Sequence, residues 1–398
     1  MEHILLYKWA LFCEDSISKA LQHLGFVVDV ISGQMINYDH DINMENVFDS
    51  YFLQCEENGS SCIAVFSIDY FPLISNIFEK RKIPYISWFV DYPMATMYSK
   101  TIHNQCNKIF VFDEMQYEEL VNLGVKNAFH MPLATDIFQW QSIEITQEDT
   151  QKYLSDVSFL GNLYNDSIGN KYNSIHTFPD YIKGYLDGIV DAQLKVYGYN
   201  FVESTLNHDI LEEVRKYLEM DLGPLYFDVY EKLLTDIINR QISMLERRNV
   251  LNMVGSKYNL NLYTSSDTSA ISAKKVTIKG YVDYMTVMPK IFKLSKINLN
   301  ITSKSIKSGI SLRVLDVLGM GGFLISNYQP EIAQYFENGV EVVMYESMED
   351  LDQKIEYYLT HEDERKMIAR AGYNKVKTMF SYEAKLTEIL QLSGIIKK

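Results

Sequence analysis

Long apolar runs are missing from this chain. No stretch of its 398 residues reaches the ~18–20 consecutive apolar positions that span a bilayer. Cysteine is scarce and poorly spaced. The four present (Cys13, Cys55, Cys62, Cys106) come no closer than seven positions, which excludes a zinc-type cluster and argues against a disulfide framework. Free thiols of this kind lead to the expectation of a cytoplasmic protein. Basic residues are also in deficit, 37 Lys+Arg against 52 Asp+Glu, for a net charge of −15. General binding to nucleic acid or an anionic membrane is thereby disfavoured, because the phosphate-neutralising contribution turns repulsive. With 47% hydrophobic and 22% charged residues the chain is neither disordered nor collagenous. No internal repeat of fixed period occurs.

What is present is an alternation. In the first ~135 residues short apolar runs (3–7, 27–32, 62–67, 85–90 and 108–112) are separated by amphipathic stretches. Among these stretches 14–25 ends on Gly25, and 113–124 begins on the N-cap candidate Asp113 and closes on Gly124. Strands buried on both faces and alternating with helices predict a parallel, doubly wound α/β sheet. The N-terminus superficially resembles a secretory leader, but Glu2 and Lys8 interrupt it, so a first strand is expected. Residues 136–155 lack a clear period and read as a hinge. A second α/β unit is expected over 156–380, with strands at 156–162, 259–264, 276–280, 297–301, 322–326 and 341–345. Within it, 163–250 reads as a helical, Tyr-rich insertion, with one further short strand at 195–199. That insertion is a candidate homodimer surface or acceptor cover. The last stretch, 381–398, is expected to be helical and to pack back on the first domain.

One region reverses the charge balance. Between Lys274 and Arg313 there are nine basic residues and a single acid, Asp283. Within it, an expected strand (297–301) leads into a loop of small and basic residues and then a helix starting near Gly309. Ser308, Gly309 and the N–H groups of Ile310 and Ser311 would then form a helix N-terminus, which favours phosphate. Lys304, Lys307 and Arg313 would add full charges there. Asp316, two turns in, is placed to accept from the two hydroxyls of a ribose. The Gly-rich 319–323 reads as a helix C-cap leading into a strand.

On these residues and those that follow, the chain resembles the CgeB-like (spore maturation protein-like) group-1 glycosyltransferases. The resemblance is carried by SKINLNITSKSIKSGISLRVLDVLGMGGFLIS and the residues after it to about 383, and in the first half by YISWFVDYPM and CNKIFVFDEMQYEELVNLGV. It implies the GT-B fold, two Rossmann-like domains facing across a cleft, the second binding a nucleotide sugar and the first an acceptor. A UDP-sugar donor, a glycan, protein or small-molecule acceptor hydroxyl, and no cofactor are the implied chemistry. In the wider retaining group two glutamates stand eight positions apart. Here Asp316 matches the second, and Ser308 takes the place of the first. Gly161 and Asn162 match the family's turn near the donor phosphates, and Gly280 and Tyr281 the position lining the base.

In the first domain, WFVDYP places Asp91 at the end of an apolar run between Trp88 and Tyr92. It reads either as an acceptor-side carboxylate with stacking aromatics or as a cap on the turn before Pro93. Lys8 and Trp9, after the first strand, are further acceptor-side candidates, whereas His130 reads as a packed histidine. Two acid-x-acid triplets, Asp39–Asp41 and Asp350–Asp352, are not placed to serve the cleft, and no catalytic metal is expected. Rival readings are a non-catalytic GT-B scaffold in spore or cell-surface maturation and a nucleotide-sugar epimerase.

Overall fold

The computed structural model describes residues 2–9, 13–166 and 170–397, apart from the side chains of Asn173 and His176. The chain forms two compact units. One comprises Met1–Ala134, Leu222–Asp228 and Met379–Lys398, and the other Thr135–Asp221 and Val229–Thr378.

The first unit holds a six-stranded sheet of β1 (Glu2–Lys8), β2 (Val27–Ser32), β3 (Ser61–Ile68), β4 (Tyr85–Trp88), β5 (Asn107–Val111) and β6 (Ala128–His130). Their spatial order is β2-β1-β3-β4-β5-β6, with every pairing parallel. The central strands bury both faces, as in Ile4, Leu5, Leu6, Ala64, Val65 and Phe66, which are fully enclosed. Such strands show continuous apolar runs rather than alternation. Asp113 caps its helix by accepting from Gln116 N–H, and Gly124 follows at φ +81°. β6 is only three residues long, too short to stand out as an apolar run. The C-terminal helix Tyr382–Leu392 belongs to this unit, where Tyr382 meets Trp88 edge-on at 6.2 Å. The segment Leu222–Asp228 belongs to it as well, through an antiparallel bridge between Tyr226 and Ser99.

The second unit carries β7 (Ser155–Leu160), β8 (Leu260–Tyr263), β9 (Val276–Ile278), β10 (Ser295–Asn300), β11 (Leu324–Asn327) and β12 (Val343–Tyr345). Their order is β12-β11-β10-β7-β8-β9, again all parallel. Residues 195–199, expected as a strand, are irregular instead, with Gly198 at φ +74° against the Tyr328 ring. The stretch 136–155, expected as a hinge, holds the helices Ile137–Gln141 and Gln147–Tyr153, the latter started by a Thr146/Asp149 capping box.

Between β7 and β8 lies a helical segment with its own apolar cluster, including Ile182, Leu186, Leu234, Ile238 and Ile242. The 28-residue helix Tyr230–Lys257, about 42 Å long, serves two cores. Its first half packs into that cluster, while Val250, Leu251 and Val254 pack against the sheet. Glu246 and Arg247 fall between the two, both buried.

Close packing requires glycine at position 372. A Cβ at Gly372, in the helix Glu362–Met379, would lie 2.4 Å from the backbone oxygen of Glu341. Gly372→Ala is therefore expected to destabilise the protein by about 1–3 kcal/mol. Gly184→Ala, in open space on the helix Asp180–Gln193, should stabilise it by about 0.5–1 kcal/mol. Urea unfolding midpoints of the two variants check the contrast.

Candidate functional site

In an open parallel sheet the strand order reverses at one point, and ligands bind outside the carboxyl ends of the strands there. In the second unit that point lies between β7 and β10. Gly161 and Asn162 leave β7, and the loop 301–311 leaves β10. Arg247 joins them. Its guanidinium donates to the Asn162 carbonyl oxygen and, at 2.6 Å, to that of Ile301. It also lies 4.4 Å from the Tyr164 ring centre. Its Nε is buried without a hydrogen-bond partner, and no carboxylate pairs with it among the described residues. Ser266 Oγ donates to Asn162 Oδ1 at 3.2 Å, which holds the turn after β7.

The loop after β10 is fixed by small polar groups. Thr302 N–H donates to Asn327 Oδ1 at 2.8 Å, Lys304 N–H to Ser243 Oγ at 2.8 Å, and Ser305 Oγ to Asp236 at 2.7 Å. The helix starts at Leu312, three residues later than expected, with Ser311 at its N-cap. Ser311 makes no capping bond, and its buried Oγ has no partner. That leaves the helix start without an intrinsic anion-like cap. Arg313, in its first turn, contacts Met288 Sδ and lies 5.1 Å from the Phe292 ring centre.

Several expectations need correction. Four of the nine cations of the basic island are paired with acids from other parts of the chain. Lys290 pairs with Asp149 (2.9 Å), Lys296 with Asp156 (2.7 Å), Lys304 with Glu246 (3.3 Å) and Lys307 with Glu203 (2.7 Å). Lys304 and Lys307 are thus not free charges for a diphosphate. Asp316 is only 1% exposed, so it offers no carboxylate to a ribose in this arrangement. Its oxygens accept from Thr135 Oγ1 (2.7 Å) and Tyr284 OH (2.9 Å), and Arg313 stands 3.9 Å away. Burial raises the Asp316 carboxyl to about 6. Ser308 Oγ donates to Glu331, a buried acid contributed by the residues after β11. Gly280 takes φ +74°, and Tyr281 beside it is exposed.

In the first unit the order reverses between β1 and β3. Lys8 and Trp9 follow β1 there, but Lys8 is held by Asp15 at 2.5 Å. Trp9 N–H donates to Glu14 at 2.8 Å, and its indole N–H is buried without a partner. Trp88 is a correction, since it is 1% exposed with its N–H on the Met131 carbonyl oxygen, leaving no face for a sugar. Tyr92 OH donates to Glu119 at 3.3 Å. Asp91 is exposed, and the group ordering it is Asp69 at the end of β3. Asp69, fully buried at φ +58°, accepts from Val90 N–H (3.0 Å) and Asp91 N–H (3.3 Å), while its Oδ2 has no partner. Burial, and then the charge of Asp91, push its carboxyl up to about 7.

Of the two acidic triplets, Asp41 caps the helix Ile42–Asn58, and Asp350 and Asp352 are engaged by Lys354 and Lys257. Sequence reasoning missed Arg247, Asp69 and Glu331. Arg247 had a signal, a charge on the apolar stripe of a long helix. Asp69 had one too, ending an apolar run as Asp91 does.

Comparison with known proteins bears on this edge of the second sheet. Residues 239–391 match the sequence model of a family described as glycosyl transferase-like. That glycosyl transferase-like segment contains Arg247, the loop after β10 and the helix Leu312–Gly319. Among solved structures, a glycosyltransferase from Rickettsia africae ESF-5 is similar over 100% of this chain and 99% of its own, at 12% identity and TM-score 0.57. Sucrose-phosphate synthase from Thermosynechococcus elongatus matches over 99% of both chains, at 10% identity and TM-score 0.56. HepE of Anabaena, in complex with UDP and glucose, matches over 99% of this chain and 100% of its own, at 8% identity and TM-score 0.53. No curated protein matches the chain significantly. The fold is GT-B, two parallel six-stranded sheets with flanking helices. Among the described residues no helix is long and apolar enough to cross a membrane.

The buried Asp69 carries a pH signature. Its carboxyl titrates near 7 when folded, above the unfolded value of about 3.9, so the native state holds the extra proton between those limits. Its contribution is favourable at low pH and is lost as pH rises through 7. Asp69→Asn should therefore gain on the wild type by about 1–3 kcal/mol between pH 5 and pH 8. Urea unfolding of both proteins at the two pH values measures it.

Proposed function

We propose that the protein is a glycosyltransferase that moves a sugar, a hexose in the first instance, from a UDP-sugar to an acceptor hydroxyl without a catalytic metal. The observation carrying this reading is the β7/β10 reversal point. There a buried guanidinium, an uncapped helix start and Arg313 share one sheet edge inside the glycosyl transferase-like segment. The Gly161–Asn162 turn and the loop 301–311 form the diphosphate side of this site. Gly280 and Tyr281 form its base side. The UDP and glucose held by HepE, which shares the fold, favour a uridine nucleotide here. The CgeB-like subgroup remains our assignment, supported by the motif around 301–326.

On this reading the acceptor oxygen bonds to the anomeric carbon as the bond from that carbon to the diphosphate oxygen breaks. UDP leaves with the electron pair, and the acceptor proton passes to the exposed carboxylate of Asp91. Arg313 and the N–H groups at the start of Leu312–Gly319 meet the charge that develops on the diphosphate, which is where electrostatic stabilisation contributes most. Asp316 acts through Arg313 and Tyr284 rather than on the ribose, and Asp69 fixes the turn that presents Asp91. In the first unit Trp9 and Tyr92 are the proposed acceptor contacts.

Calorimetry with UDP and a UDP-release assay with UDP-glucose test the proposal. Arg313→Ala should weaken UDP binding by about 10- to 100-fold, the value of a charge-assisted hydrogen bond. Asp91→Ala should lower UDP release while leaving UDP affinity unchanged. Absence of binding by UDP, GDP and ADP at millimolar concentration would favour a non-catalytic scaffold instead.

A further inference from the structure

A cavity of about 600 Å³ opens at the opposite, amino-terminal edge of the second sheet. It lies beside Lys293, just before β10, and Gly319–Gly321, just before β11. Trp140, Ile143, Ile145 and Met320 give it an apolar wall, and Lys293, Lys366 and Arg370 supply three cations. No acid lines it. In a chain of net charge −15 that is a local inversion, and Lys293 is a member of the 274–313 island that stays outside its ion pairs. Lys366 is held by Glu362 at 2.6 Å, but Lys293 and Arg370 form no ion pair among the described residues. Lys293 and Arg370 thus line, with apolar side chains, a volume typical of small-molecule sites.

We propose that this cavity binds a single-chain amphiphile carrying one anionic group, its apolar body against Trp140, Ile143 and Met320 and its headgroup between Lys293 and Arg370. Apolar burial supplies the affinity, and the paired cations select the charge. The site is separate from the nucleotide edge, and its existence does not depend on the glycosyltransferase reading. The two are nevertheless linked by hydrogen bonds. Trp140 Nε1 donates to Thr135 Oγ1 at 2.6 Å, and Thr135 Oγ1 donates to Asp316 at 2.7 Å, with Arg313 3.9 Å beyond. Trp140 is 4% exposed, so an occupant meets only its edge, and that edge belongs to the same hydrogen-bonded chain that orders Arg313.

Titration of the full-length protein with decanoate and with decyl phosphate, both below their micellar range, provides the test. Either probe should bind and alter tryptophan emission, and the change should vanish in Trp140→Phe. The tighter of the two distinguishes a carboxylate from a phosphate headgroup. Arg370→Ala and Lys293→Ala should each weaken binding about tenfold, the size of one charge-assisted contact. Both residues are exposed and carry no packing role, so the variants should fold normally. Decanol binding as tightly as decanoate, or affinity unaltered in both cation variants, would overturn the proposal.

Discussion

A guanidinium taken out of water without a carboxylate must find carbonyl oxygens or aromatic faces, and Arg247 uses both. The carbonyl groups it satisfies belong to Asn162, two residues past β7, and Ile301, the first residue past the neighbouring parallel strand β10. Those strands are the pair between which the sheet reverses its order. Arg247 thus holds two loops at the spacing that β7 and β10 impose. It can do so because the helix Tyr230–Lys257 is anchored at both ends by separate apolar clusters. The geometry of the candidate nucleotide edge depends on that arrangement. The direct contacts of Lys304 and Lys307 matter less, because those lysines are absorbed by Glu246 and Glu203.

The same balance of burial and charge governs the other carboxyl edges. Asp69 and Asp316 each lie at 1% exposure or less, and each is kept there by donors from its own unit: backbone N–H groups in the first case, hydroxyls in the second. Both carboxyls are pushed upward by burial. Each is a rigid support behind an exposed or half-exposed partner, Asp91 and Arg313 respectively. This pairing of a buried acid with a more exposed neighbour recurs in the two sheets without any sequence similarity between the loops.

Much of the fold was legible because parallel strands buried on both faces leave continuous apolar runs. Eleven of the twelve strands fall where a strand was expected, though only the central ones are continuous buried runs, and the exception, β6, is three residues long. The helix ends marked by Asp113, Gly25 and Gly124 were equally plain, since capping chemistry is local. The site was less legible because its electrostatics are not local. Lys307 and Glu203 are 104 positions apart, and Lys304 and Glu246 are 58 apart, so a window of sequence registers the cations and misses their partners. Trp88 was misjudged for a related reason. Its place at the end of an apolar run suggested an edge, whereas the C-terminal helix, brought in through Tyr382, covers it.

The assignment of Leu222–Asp228 to the first unit has a practical meaning for dissection of the molecule. The polypeptide passes from one unit to the other four times, at 134/135, 221/222, 228/229 and 378/379. No single cut in the chain therefore yields two intact bodies. A fragment ending near residue 134 would forfeit the Ser99–Tyr226 bridge, the Lys100 contact with the Pro224 carbonyl oxygen and the helix over Trp88. Loss of solubility in such a fragment would report missing walls rather than an inherently unstable sheet.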